Sequence, residues 1–210
     1  MSDDGRLTLT DEAALRACYP ERSELARLKE IDHLDQHCRN FIALSPFMVM
    51  GSTRAGAGTD VSPRGDQPVF VRVLDDRTLA IPDRPGNNRL DTFSNLLADA
   101  EVGLLFLVPG IDETLRVNGR ASLSRDPDLM AGSAVDRKLP RMMVLVAVRQ
   151  VFFHCGKALK RSRLWHDDYK VERSAFPSLG RVIIEQAKTA AITVEEADAR
   201  VERGYKENLY

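Results

Sequence analysis

LAIPDRPGNNRLDTFSNLL (79–97) holds the signals on which the reading of this chain turns. Leu79–Pro82 closes a short β-rich run, and PDRPGNNR (82–89) is a loop by composition. Leu90, Phe93, Leu96 and Leu97 then fall on one face of a helix. Arg84 and Arg89 flank the Pro-Gly-Asn-Asn turn, which runs straight into the helix start. Backbone N–H groups at that start, together with two guanidinium forks, suit a phosphate group. Asn87 or Asn88 could cap the helix or donate to a phosphate oxygen. The plainer alternative is a solvated turn with an ordinary cap.

Working outward, the period on both sides is that of strands. Phe47–Thr53, Val69–Leu74 and Thr78–Ile81 are strand candidates upstream, with Asp75-Asp76-Arg77 as a tight turn between the last two. Downstream, Val102–Val108 is almost continuously apolar and is closed by Pro109-Gly110. Thr114–Ser124 alternates polar and apolar residues, and Met143–Phe153 is again β-rich. Six strands with hairpin-length connections, and one helix after the third, predict an antiparallel sheet whose closure into a barrel would remove its edges.

The flanks are helical. Thr10 can cap a first turn carrying Asp11 and Glu12. After Pro20, the steps of three and four through Leu25, Leu28, Ile31, Leu34, Cys38 and Phe41 predict one amphipathic helix, ended by Ser45-Pro46. The tail carries a basic stretch, Lys157–Arg163, and a capping-box pattern from Thr193 to Glu196. The expected organisation is a single domain over 1–210: N-terminal helices (1–45), a β-barrel (46–155) and a C-terminal helical extension (156–210).

Composition narrows the partners. With 30 basic and 31 acidic residues the formal charge is −1, so no general attraction to nucleic acid or anionic membrane is expected. No uninterrupted apolar run approaches the roughly 20 residues of a membrane span. The N-terminus, MSDDGRLTLTDEAA, is acidic and lacks the apolar core of a signal peptide. Cys18, Cys38 and Cys155 form no CxxC pair, and the cytoplasm is the expected compartment. His33 and His37 lie four apart beside Cys38, but Cys38 falls on the apolar stripe and the HExxH arrangement is missing, so no metal is expected. Gly51–Gly56 opens like a P-loop, yet Ala57-Gly58 stands where Lys-Ser/Thr is required. No Gly-x-Ser-x-Gly elbow is present, and covalent hydrolase chemistry finds no support.

Three stretches in order, GTDVSPRGDQPVFV (58–71), LAIPDRPGNNRLDTFSNLL (79–97) and VGLLFLVPGIDETLRVNGRASLS (102–124), resemble the pyridoxamine-phosphate-oxidase-like FMN-binding split-barrel superfamily. The likeness extends to HCGKALKRSRLW (154–165) in a bacterial subgroup described as probable FMN-dependent proteins. It implies a mainly β fold with flanking helices, a six-stranded antiparallel split β-barrel, and an FMN-dependent oxidoreductase of unknown substrate working as a homodimer with flavin at the interface. The family grips the flavin phosphate from a strand, here Asp60, Ser62 and Arg64, and from a loop-helix, here Asp83, Arg84, Asn87, Asn88 and Arg89. Arg89 stands where the family has a basic phosphate ligand. Thr114 and Arg116 match a strand that touches flavin bound mainly to the other subunit, and Lys157, Arg161 and Trp165 match a segment that closes over the site. Arg116, Lys157 and Arg161 are the candidates for placing charge near the flavin ring. Lys157 and Arg161, four apart, would otherwise be a solvated basic face. One departure concerns the substrate: RSRLWHDDYK (161–170) has the letters of the oxidase's Trp-then-Arg-Leu-His signature in another order, which argues against vitamin B6 oxidation. The alternatives on the same barrel are a non-catalytic flavin binder, a haem binder or a protein using the deazaflavin F420.

Overall fold

The computed structural model describes residues 8–188 and 191–210. The leader reading of residues 1–7 therefore lies outside the described residues. Three short helices open the chain: α1 (Glu12–Ala17), α2 (Glu24–Leu28) and α3 (Gln36–Leu44). Strands β1 (Phe47–Arg54), β2 (Gly58–Gly65), β3 (Arg72–Val73) and β4 (Thr78–Pro82) follow. Helix α4 (Asp91–Ala98) leads to β5 (Glu101–Leu107) and β6 (Thr114–Ser124). A short helix α5 (Pro127–Ala131) precedes β7 (Met143–His154), and α6 (Lys157–Ser162), α7 (Leu179–Ala187) and α8 (Val194–Glu207) form the tail.

The sheet is antiparallel throughout, in the order β2-β1-β5-β6-β7-β4-β3. It has seven strands, one more than the sequence predicts, and β2 and β3 stand at opposite ends without pairing to each other. The added strand is β2, whose GTDVSPRG carries two glycines and a proline and places polar Asp60, Ser62 and Arg64, rather than apolar residues, at its half-buried positions. Hydrogen bonding to β1 along its whole length makes it a strand all the same.

Alternation builds the core. Met48, Met50 and Ser52 from β1, Val102, Leu104 and Phe106 from β5, and Leu115, Val117 and Ala121 from β6 are buried on one face. Leu34, Cys38, Phe41 and Ile42 from the N-terminal segment, and Phe93 and Leu96 from α4, cover it. A bulge lies opposite Asn118 and Gly119, where Arg149 is the extra residue of β7. Val148 and Val151, three apart, can thus both face the core. Gly119 is required there, since a Cβ would stand 2.3 Å from the Ala147 carbonyl oxygen.

The predicted second helix is broken in two. Ile31 leaves helical geometry to exchange backbone hydrogen bonds with Val151, at 3.0 and 2.7 Å, and Arg77 donates to the Asp32 carboxylate at 2.7 Å. Asp35 then restarts the helix by accepting from the Cys38 N–H. The apolar stripe divides accordingly: Leu34, Cys38 and Phe41 are buried, whereas Leu25 and Leu28 are exposed. Burial also pushes the Cys38 thiol up to about 12. Of the remaining helix signals, the first is shifted by one residue: Asp11, not Thr10, caps α1 by accepting from the Ala14 N–H. Ser45 ends α3 in extended geometry, and Thr193 and Glu196 form both halves of a capping box on α8.

Candidate functional site

Eight predicted site residues meet in one place. Asp60, Ser62 and Arg64 of β2, and Asp83, Arg84, Asn87, Asn88 and Arg89 of the following loop, line a single cleft of about 460 Å³. The first turn of α4 closes its end with Leu90, Asp91, Thr92 and Phe93.

The loop ends in strained backbone. Asn88 (φ 57°) and Leu90 (φ 61°) are both left-handed, a conformation that asparagine tolerates and leucine adopts at a cost of about 1–2 kcal/mol. Leu90 is the N-cap of α4, and no side chain caps the first turn. Neither asparagine fills the capping role proposed for it. Asn87 instead accepts from the Arg89 N–H at 3.1 Å, and Asn88 accepts from Arg141 at 3.2 Å. The first-turn N–H groups of α4 are left to face the cleft with the positive end of the helix dipole.

The arginines are held differently. Arg64 is largely buried beneath the cleft, its guanidinium 5.2 Å from the Phe93 ring centre. It meets Asp83 only at 3.4 Å, and its Nε is buried with no hydrogen-bond partner among the described residues. Arg84 turns away to donate to Asp66 at 2.6 Å and lies over the Tyr210 ring. Arg89 is exposed at the rim, paired with Asp91 at 2.7 Å. Asp60 accepts from the Thr92 hydroxyl at 2.6 Å, which joins β2 to α4 across the cleft.

With Arg84 spent on Asp66, the guanidiniums of Arg64, Arg89 and Arg141 face the carboxylates of Asp60, Asp83 and Asp91 in equal number. Burial pushes the Asp83 carboxyl up from its ordinary range, against the pull of Arg64 and Arg141, and so weakens the negative side. The uncapped start of α4 and the unused buried Nε of Arg64 are the features of this cleft that would suit an anion.

The other five predicted residues do not line it. Thr114 is buried, opposite His154 in the β6–β7 ladder. Arg116 is exposed and lies 5.3 Å over the Phe152 ring, and Lys157 and Arg161 stand exposed on α6. Trp165 donates from Nε1 to the Ile111 carbonyl at 3.0 Å, while Lys160 pairs with Asp112 at 2.8 Å. The segment after β7 is thereby tied to the loop before β6. His154, beside Arg116, has its pKa lowered by burial and by the Arg116 and Lys29 charges, and its Nε2 has no partner among the described residues.

Sequence reading missed Arg141, Thr92, Phe93 and the Asp66–Tyr210 contact. Phe93 was legible only as part of an apolar face. Arg141 follows Pro140 in a stretch without pattern, and Tyr210 is brought in from the far end of the chain.

The family model described as pyridoxamine 5′-phosphate oxidase matches residues 34–155, more than half of the chain, and the protein belongs to that family. No curated protein matches the sequence. Solved structures similar to it include HupZ from Group A Streptococcus, 13% identical, with 57% of this chain and 92% of that chain covered and a TM-score of 0.47. General Stress Protein 26 from Bacillus anthracis is 12% identical over 56% of this chain and 94% of that one, with a TM-score of 0.42. The FAD binding protein from Mycobacterium smegmatis is 16% identical over 59% and 97%, with a TM-score of 0.40.

Proposed function

We propose that the protein is an FMN-dependent oxidoreductase that holds the flavin phosphate in the cleft between β2 and α4. The observation that carries this reading is Arg64: a half-buried guanidinium with a buried, unused Nε donor beside an uncapped helix start. A phosphate oxygen would satisfy both at once. The residues fit the group, and bound FMN would supply hydride or single-electron transfer, chemistry for which the protein needs no nucleophile of its own.

The chain's own tasks are then binding and orientation. Arg64 and the first-turn N–H groups of α4 hold the phosphate, and Arg89 adds charge at the rim. The Thr92–Asp60 hydrogen bond keeps the two walls at a fixed spacing. Membership of the family favours FMN over the haem and F420 alternatives.

A homodimer completes the proposal. Leu105 and Leu107 of β5, on the face away from the core, are only half-buried within one chain, as expected of a surface that a second copy covers. Arg116 is free to reach a flavin held mainly by the partner, with Lys157 and Arg161 as further sources of positive charge. Thr114 is already buried within its own chain and fits that role less well.

The test is to purify the protein, identify any released chromophore by mass, and titrate the apoprotein with FMN and riboflavin. Tighter binding of FMN supports the cleft, and equal affinities refute it. Sedimentation across a dilution series, with and without FMN, should show flavin favouring the dimer. A monomer fully loaded with FMN would refute the shared site.

A further inference from the structure

A second pocket of about 190 Å³ adjoins the cleft and shares Phe70 and Arg84 with it. Its far wall is Gly132–Val135, the loop that follows α5. Ser133 in this wall is 8% exposed, and its hydroxyl has no hydrogen-bond partner among the described residues. Burying a hydroxyl in that state is unfavourable unless a ligand or a water satisfies it.

Arg72 of β3 supplies the charge. Among the described residues its guanidinium makes one hydrogen bond, a long contact from a terminal nitrogen to the Leu129 carbonyl at 3.4 Å. No carboxylate lies within ion-pair distance of it among the described residues. Gly132 lets the guanidinium in, because a Cβ there would stand 2.5 Å from the same nitrogen. Arg84, by contrast, is neutralised by Asp66 at 2.6 Å. Arg72, Arg84 and Asp66 together leave one uncompensated positive charge on the pocket. Apart from Gln67, the remaining walls, among them Val69, Phe70 and Val135, are apolar.

We propose that this pocket binds a small monocarboxylate with a short apolar body. The carboxylate is held by Arg72 and the Ser133 hydroxyl, and the body packs against Phe70 and Val135. A single excess positive charge matches a monoanion, whereas a phosphate dianion would bring a charge that nothing in the pocket offsets. The volume admits only a few heavy atoms beyond the carboxylate. The site is distinct from the phosphate cleft and stands or falls apart from it.

The probe is butyrate, with butyramide as its uncharged isostere and inorganic phosphate as the dianion. All are titrated by calorimetry into the protein as purified. Butyrate should bind with a Kd of about 1 mM, as expected of so small a ligand, and butyramide and phosphate at least about tenfold more weakly, the scale of a lost charge-assisted contact. Arg72→Met should weaken butyrate by the same factor, while FMN affinity stays within about twofold. Ser133→Val serves as the second variant, should Arg72→Met fail to fold, and should also weaken butyrate alone. Equal binding of butyramide, tighter binding of phosphate, or unchanged butyrate affinity in a folded variant overturns the proposal. A parallel loss of FMN would assign the pocket to the cleft and overturn it as a separate site.

Discussion

Replacing Arg64 by methionine separates its role in the cleft from its role in the fold. Methionine keeps an unbranched stem against Phe93 and removes only the charged fork. In the ligand-free protein the change is small, because the Asp83 contact is long and the desolvation of the unused Nε disappears with the guanidinium. Stability should move by less than about 1 kcal/mol. The bound state loses more. One or two charge-assisted hydrogen bonds to phosphate, at about 1.5–3 kcal/mol each, put the loss at about 2–3 kcal/mol after relaxation. That corresponds to roughly 30- to 150-fold in Kd. Riboflavin, which lacks the phosphate, should bind the variant and the parent within about twofold, the noise of a neutral substitution. Quenching of flavin fluorescence on titration into apoprotein measures both. An equal loss for the two flavins would mean that Arg64 acts through the fold, and an unchanged FMN affinity would remove the reason for placing phosphate in this cleft.

Arg89→Ala should cost FMN only about 1 kcal/mol, since the rim arginine is exposed and already paired with Asp91; a loss matching that of Arg64→Met would reverse their ranking. Tyr210→Phe should lower stability by about 1 kcal/mol at neutral pH, the value of one hydrogen bond. The Tyr210 hydroxyl is raised above its ordinary 10.0, chiefly by donating to Asp66. The Asp66 carboxyl lies below 3.8 because the bonds from Tyr210, the Gln67 N–H and Arg84 outweigh its burial. The difference between parent and variant in urea melts should therefore fade as pH falls below 3.8 and again as it rises above 10.0; a difference that is constant with pH refutes the pairing. Gly119→Ala should destabilise by about 1–3 kcal/mol through contact with the Ala147 carbonyl, read as a lower Tm. Pyridoxamine phosphate should turn over at well under about 1 s⁻¹, because the Trp165 indole N–H is already committed to Ile111; faster oxidation in a peroxide-coupled assay would show that the displaced signature still works.

What could be read from the sequence was whatever depends on neighbours along the chain. The loop 82–89 and the alternation in β6 are local patterns, placed where the structure has them. Of the face read on α4, however, only Phe93 and Leu96 are buried, whereas Leu90 stands before the helix in left-handed geometry and Leu97 is exposed. The composition of β2 hid it, because its strand character comes from pairing with β1 rather than from its own residues. The broken N-terminal helix shows a subtler failure. Its period of three to four is real, but a period cannot say which residues find a partner, and the tie between Ile31 and Val151 joins residues far apart in sequence. Within the cleft, the basic loop was legible, whereas Arg141 and the long Arg64–Phe93 contact exist only once strand order has been set.

The wall that carries Arg64 is the last strand of its sheet, bonded along one side to β1 and, among the described residues, to no strand on the other. An edge of this kind frays first, so its amides should exchange with deuterium ahead of those of β5 and β6 in the middle. The Thr92–Asp60 bond is a single stitch across the gap to α4. A phosphate gripped from both walls would add several more, converting a loose margin of the protein into one of its slower-exchanging parts. Protection gained along Gly58–Gly65 on adding FMN, and withheld on adding riboflavin, would then register occupancy of the cleft in any preparation, before a substrate for the protein has been identified.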